Sequence, residues 1–443
     1  MKKIRFLVFV IITAIAAACV LVLSGNNVTI IESEAGGENK INLRFAWNWD
    51  DMNVKSFTLS DVLNQFSKMN PGVSITGEFL SGDSFYNKLQ VDFASKNAPD
   101  IVSVKPGNRI SHLAKMGALA ELQRVFRNKA GYELPFGKRI IYDGRTVGIS
   151  LERYYIAMFV NSDLFRAHGI ELPSTFEQLI YAAERFNEAG IIPIVGDFYD
   201  GGWQIYQSIV GRLAGRLEIG QCIADGTISE SYLDGLDILR IMYDCDMFPP
   251  NCFDMDMAES INLFVTKKAA MTVRESGFIA EVDHWYKQNG IMESDTDNIV
   301  IMPFPIVEGS VANTKSYISG GGDVSFFFSA NSMSNSDKKH VLEDLILYLE
   351  SDIVGSLFRE NAKINPSVYI PLTKEYIDAL QVEETLMLLE AQEFIPPPKN
   401  VFDECVWYNY VENNFPKVLR GQIDKRGMFE TAIGAYKSMR DME

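Results

Sequence analysis

The apolar positions along this chain change period repeatedly, and each change marks an element. Val62, Leu63, Phe66 and Met69 recur at helical spacing, and Asn70, Pro71 and Gly72 end that helix. Residues 73–76 alternate as a half-buried strand before Gly77 and Gly82 open a loop. Phe85, Leu89 and Phe93 predict a second amphipathic helix, after which the chain turns through 97–100 into the apolar run 101–104. Upstream, Ile41, Leu43, Phe45 and Trp47 share one face of an alternating segment, a first strand. The rhythm continues with a helix near 112–122, an Asp143-Gly144 turn between extended segments, and a fully apolar strand over 154–160. Ser174 and Glu177 read as a capping box for a helix through Leu179, Ile180, Ala183 and Phe186, which Gly190 ends before a buried strand at 191–195. Helices at 231–243 and 258–264, strands at 269–273, 299–305 and 324–328, and a helix at 341–349 capped by Ser336 follow. The tail from Glu404 reads as two helices around Gly421. Strands alternating with helices predict an α/β fold on parallel, doubly wound sheets, which bind ligands at the carboxyl ends of their strands.

That rule singles out residues at predicted strand ends. Trp49 and Asp50 follow the first strand, and Asp83 lies in the loop at Gly82. Trp203 closes the glycine-hinged aromatic loop 198–203, and Glu275 and Phe278 follow strand 269–273 beside Arg274. Gly321 and Gly322 belong to a three-glycine run where the backbone can approach a ligand closely, and Trp407 stands in the tail. Each has a plain packing alternative: Trp203 can begin a helix and face inward, and the glycines can simply turn. Together, aromatic rings beside carboxylates suit a sugar, with its apolar C–H faces and ring of hydroxyls.

Composition narrows the classes. A 443-residue chain that is 47% hydrophobic buries a large core and is long enough for two or three domains. Its formal net charge of -17 speaks against nucleic acid, which needs a positive footprint. Lys2, Lys3 and Arg5 precede an apolar run over 6–23, as in an export signal. At 18 residues, that run is also just long enough for an uncleaved membrane anchor. Residues 28–40 then read as a solvated tether. Cys222, Cys245, Cys252 and Cys405 contain no C-x-x-C pair, so neither zinc nor any other cofactor is expected; disulfides and buried thiols both stay open. His112, His168, His284 and His340 are isolated on predicted helices or helix ends, and no metalloprotease, nucleophile-elbow or phosphate-loop motif occurs. With 58 acids, no glycosidase pair stands out.

Several of these segments resemble the family 1 extracellular solute-binding proteins, the receptors of ATP-driven sugar importers. The family pattern F-x-x-x-x-P-x-V, Y-x-x-K-L and A-S-G-x-A-P-D-I is matched by Phe66, Pro71 and Val73, by Tyr86, Lys88 and Leu89, and by Ala94, Ser95 and residues 98–101. Lys96 and Asn97 replace the usual glycine and variable residue. Further on, Asn161, Asp163, Leu164 and Phe165 match a Y-N-K-D-L-F segment, with Val160 and Ser162 in place of its tyrosine and lysine. Residues 16–19 resemble a lipobox, in which Cys19 is the lipidated residue, although Ala16 replaces the usual leucine.

The resemblance implies a two-lobed periplasmic-binding-protein-like fold of type II with its ligand cleft between the lobes. Residues 41–149 with 312–349 are expected in the N-terminal lobe, and 150–311 with 350–443 in the C-terminal lobe. It further implies a monomer on the outer face of a bacterial membrane, held by a lipid or an uncleaved anchor. Such a protein captures a carbohydrate by lobe closure for the permease of an ABC importer and performs no catalysis. An exported glycoside hydrolase and a surface receptor for a non-sugar solute are the alternatives.

Overall fold

The computed structural model describes residues 28–31, 41–48, 54–80, 82–131, 133–134, 138–196, 202–219, 228–290, 298–322, 324–364, 366–367, 379–402 and 406–441. The chain forms two compact units, one of 1–106, 112–151 and 323–362, the other of 107–111, 152–322 and 363–443.

The first unit is built on a seven-stranded sheet. Its strands are β1 (Val28–Ile31), β2 (Ile41–Trp47), β3 (Val73–Phe79), β4 (Ile101–Ser103), β5 (Arg139–Tyr142) and β6 (Arg145–Ser150), joined later by a strand over 325–328. β2 lies between β3 and β4 and is parallel to both, so Trp47 is level with Phe79 and Ser103. Leu43, Phe45 and Trp47 are buried, as their alternation predicts. Helix Val54–Met69 buries Leu59, Val62, Leu63 and Phe66, whereas Met69, in its last turn, is exposed. Asp143 and Gly144 have φ of 49° and 73°, the consecutive positive values that a two-residue hairpin between β5 and β6 needs.

Motif residues in this unit act as ties. Asp100 is buried, and its carboxylate accepts the Arg44 N–H at 2.8 Å and the Lys338 ammonium at 2.8 Å and 2.9 Å. It thereby joins β2 to helix Ser336–Glu350. Lys88 bridges Glu78 at 2.6 Å and Asp92 at 2.5 Å. At the far end of the same helix, Lys138 donates to the Glu350 carboxylate at 2.9 Å and to its backbone carbonyl at 2.8 Å, with both side chains buried.

The second unit is organised around β7 (Arg153–Asn161). Its other strands are β8 (Ile192–Ile194), β9 (Ala269–Glu275), β10 (Ile299–Met302) and β11 (Ser316–Gly321); the strand Ser325–Phe328 of the first sheet is β12, and β13 is Glu393–Ile395. The order is β13-β11-β7-β9-β8, with β10 also paired to β7. Cores cover both faces of β7, which explains its unbroken apolar run. Tyr154, Ile156, Met158 and Val160 face one core, and Tyr155, Ala157 and Phe159 the other. The Asn161-to-Phe165 motif then has a packing logic. The Asn161 amide donates to the carbonyls of Phe264 and Ala269, both at 2.9 Å, Asp163 pairs with Lys267 at 2.5 Å, and Phe165 meets Phe186 edge-on. Arg212 is buried with its guanidinium donating to the carbonyls of Phe304, Asn313 and Thr314; burial lowers its pKa to about 10.

The structure shifts several expected positions. Val28–Ile31, expected within a solvated tether, is instead an edge strand antiparallel to β3. The capping box is Thr175 with Gln178, one residue beyond Ser174 and Glu177, because Thr175 is the residue with extended backbone at the helix entry. Likewise Asn335, not Ser336, accepts the N–H groups of Asp337 and Lys338. Residues 312–322 group with the second unit because β11 pairs antiparallel with β7. Residues 350–362 group with the first because helix Asp352–Ala362 packs on helix Val54–Met69. Cys245 and Cys252 are free thiols, the latter buried. Cys19, Cys222 and Cys405 lie outside the described residues, as does the apolar run 6–23. No described helix is long and apolar enough to cross a membrane.

Candidate functional site

Register defines one edge of the second sheet. β8 and β9 are parallel, and β7 runs antiparallel to β9 and β11, with Ile156 level with Glu275 and Arg153 level with Gly321. β13 is parallel to β11. The carboxyl ends of β8, β9, β11 and β13 therefore meet at a single edge, beside the start of β7. Open α/β sheets bind ligands outside such an edge. The sequence-predicted residues Glu275, Gly321 and Gly322 lie along it, and Trp203 opens helix Gly202–Ile219, which follows β8.

Trp203 is only 6% exposed and belongs to the core beneath helix Gly202–Ile219. The Lys399 ammonium sits over its ring, 4.2 Å from the centroid. Lys399 is brought there by β13, which runs into a Pro396-Pro397-Pro398 stretch that cannot continue a ladder. Its backbone N–H donates to Gln207 Oε1 at 3.2 Å. Gln204 Oε1 and Gln207 Nε2, one turn into the helix, are buried and have no hydrogen-bond partner among the described residues. Indole, ammonium and two amides thus share one corner of the edge.

The glycines answer to their neighbours. A Cβ on Gly320 would lie 2.7 Å from the Tyr154 ring, and one on Gly322 would lie 2.4–2.7 Å from the Glu152 side chain. The buried Glu152 carboxylate is laid against Gly322, whose N–H also donates to the Glu152 carbonyl at 2.9 Å. Glu275 is partly exposed at the end of β9. Arg274, in contrast, turns inward: it is 3% exposed, donates to Ser260 Oγ and lies over the Phe278 ring.

Phe278 and Trp407 occupy core positions. Phe278 is 2% exposed, edge-on to Phe159 and Phe264. Trp407 is also 2% exposed, stacked on Tyr206 and tilted against Phe402. In the first unit, β2, β3 and β4 likewise end at one edge. Trp49 and Asp50 lie outside the described residues, and Asp83 is in helix Gly82–Ala94 with its side chain undescribed. What is visible at the end of β2 is the buried Trp47 Nε1 and Asn48 Oδ1, neither with a partner among the described residues. Sequence reading did not single out Glu152 or Lys399. A charged pair, Glu152 and Arg153, before the apolar strand 154–160, and a lysine directly after three prolines, were the signals available.

Among the described residues no cluster of His, Cys, Asp and Glu could hold a metal ion. Residues 50–332 match the model of the family described as bacterial extracellular solute-binding protein. Among solved structures the chain is similar to a chitin oligosaccharide binding protein, at 19% identity and a TM-score of 0.74 over 90% of this chain and 99% of that one. A protein studied for xylan utilization in Caldanaerobius polysaccharolyticus is 20% identical, with a TM-score of 0.72 over 89% of this chain and 100% of that one. The maltose/maltodextrin-binding domain MalE from Bdellovibrio bacteriovorus, bound to maltotriose, is 17% identical, with a TM-score of 0.65 over 90% and 100%. The likeness shows an α/β, periplasmic-binding-protein-like fold.

Proposed function

This chain belongs to the bacterial extracellular solute-binding proteins, and on that premise we propose that it captures a mono- or oligosaccharide outside the cytoplasm and delivers it to the membrane permease of an ABC importer. Family and structural relatives are binding proteins rather than enzymes, so the work done on the solute is selection and hand-over. The family resemblance implies capture by lobe closure, since a ligand that binds the closed form better favours the closed population. Cys19, lipidated, or else the apolar run 6–23 as an uncleaved anchor, keeps the monomer at the outer face of the membrane.

One observation carries the carbohydrate reading: the carboxyl edge of the second sheet gathers Trp203 with Lys399, Gln204 and Gln207, and sets Glu275 and the Gly321-Gly322 backbone along the same line. Hydroxyl groups need donors and acceptors of this kind, and the enclosed Trp203 ring backs that corner from beneath the Lys399 ammonium. Trp49, Asp50 and Asp83 contribute from the first unit, and Phe278 and Trp407 support the site from within the core. The names of the structural relatives, which bind chitin oligosaccharides and maltotriose, point to the same chemical class.

A thermal-shift and calorimetric screen of xylo-, chito- and malto-oligosaccharides tests it. A sugar at a hundredfold excess over its Kd stabilises the chain by about 2.7 kcal/mol. Small-angle scattering should show compaction with that sugar. A melting temperature that no sugar moves, but that a polyamine or phosphorylated polyol raises, would overturn the carbohydrate assignment.

A further inference from the structure

Helix Ala379–Glu390 of the second unit has apolar residues on two faces and buries the one that also carries polar groups. It buries Gln381 and Glu384, each 1% exposed, together with Leu380 and Met387. Meanwhile Val382, Leu386 and Leu389, at helical spacing on another face, are 43%, 53% and 69% exposed. Leu388 packs against the core on the buried side, so apolar burial alone does not choose between the two faces. The interactions that choose are polar. The Tyr155 hydroxyl donates to Glu384 Oε1 at 3.0 Å, fully enclosed, and the Lys363 ammonium donates to Gln381 Oε1 at 3.2 Å. Burial, followed by the adjacent Glu384 charge, raises the Tyr155 pKa well above the usual range for a phenol, which keeps the hydroxyl a donor.

Tyr155 is also where this contact reaches the candidate site. Its carbonyl accepts the Ser276 N–H at 2.9 Å, the bond that fixes the first residue after β9. The turn so anchored separates Glu275 from helix Phe278–Gln288. The neighbouring Tyr154 packs its ring against the backbone of Gly320. One residue pair on β7 thus supports both the β9 turn and the glycine run.

We propose that Glu384 is a positioning residue: through Tyr155 it sets the rotation of helix Ala379–Glu390 and holds the Glu275–Ser276 turn at the carboxyl edge in its ligand-ready form. The link to ligand rests on the functional reading above, but the positioning itself does not. A buried polar contact that specifies one arrangement over a competing apolar one is a known use of such groups.

The test compares Tyr155→Phe, Glu384→Gln and Glu384→Leu in the full chain by hydrogen–deuterium exchange. Tyr155→Phe keeps the ring and removes only the hydroxyl; Glu384→Gln keeps a carbonyl acceptor. Loss of one buried hydrogen bond should speed exchange over 274–279 roughly tenfold in Tyr155→Phe and Glu384→Leu, with β2 at 41–47 in the first unit unchanged as the internal control. Glu384→Gln should stay within about twofold of the native chain, on the same reasoning. The sugar found in the screen should lose affinity in the same order. If Tyr155→Phe exchanges like the native chain, or Glu384→Gln loosens as much as Glu384→Leu, the proposal is overturned. If the exchange pattern appears but no oligosaccharide binds the native chain, the positioning role stands and the carbohydrate reading falls.

Discussion

Asn161 offers the sharpest test of how this fold is held. It is 1% exposed at the end of β7, and its amide donates two 2.9 Å hydrogen bonds, to the carbonyls of Phe264 and Ala269. These carbonyls bracket the turn between helix Met257–Val265 and β9, so one side chain fastens that connection to the central strand. Asn161→Leu keeps roughly the same volume but leaves two buried carbonyls without this donor. The Phe264 carbonyl keeps the Lys267 N–H at 3.0 Å, so only part of its bonding is lost; with an unsatisfied buried group costing about 1–3 kcal/mol, the variant should lose about 1–3 kcal/mol. Asn161→Asp should be worse, since it directs an acceptor at two acceptors. Urea denaturation followed by tryptophan fluorescence measures the loss. Arg185→Ala is the control: it removes only the exposed Arg185–Glu188 pair and should change stability by no more than about 0.5 kcal/mol. A loss below about 1 kcal/mol in Asn161→Leu would refute the claim that this amide ties the strand to the turn.

Other outcomes follow from the same structure. Lys138→Met removes the ammonium paired with the buried Glu350 carboxylate and should cost about 3–5 kcal/mol by denaturation, while Lys138→Met with Glu350→Leu should recover most of it; an equally unstable double variant would show that the pair itself is not the cause. Gly322→Ala drives a methyl group into the Glu152 carboxylate, so sugar affinity in calorimetry should fall, and retained affinity would mean that Glu152 is free to move aside. Trp203→Ala and Trp49→Ala should each reduce the sugar-induced thermal shift, and an intact shift in both would remove these residues from the site. The Cys252 thiol is pushed up to about 11 by burial, so the folded chain holds that proton more tightly than the unfolded one; its contribution to stability is full below about pH 9 and is lost as pH rises toward 11, which melting curves across that window should register.

Periodicity alone determined the α/β class, because helical and strand spacings are local properties of the chain. The Asp143-Gly144 hairpin was legible for the same reason: an Asp-Gly pair readily takes the two consecutive positive φ values seen there. The resemblance carried the family and the order of the elements. It also marked Asp100 and Asn161, whose buried hydrogen bonds to distant backbone and side chains explain why an aspartate and an asparagine stand at those positions. Tertiary structure alone decided which aromatic residues are enclosed. Phe278 and Trp407 have the composition of ligand platforms in sequence, yet packing from elements far along the chain closes over both rings. It also brought Lys399 onto Trp203 and Glu152 against Gly322, contacts between residues about 200 and 170 positions apart that no local pattern encodes. Helix Ala379–Glu390 makes the limit plain. Its large apolar residues lie on two faces, Leu380 and Met387 inward and Val382, Leu386 and Leu389 outward. A tyrosine hydroxyl on β7 holds the first face inward, since an enclosed carboxylate must keep its hydrogen bond while an exposed leucine loses only part of its burial energy.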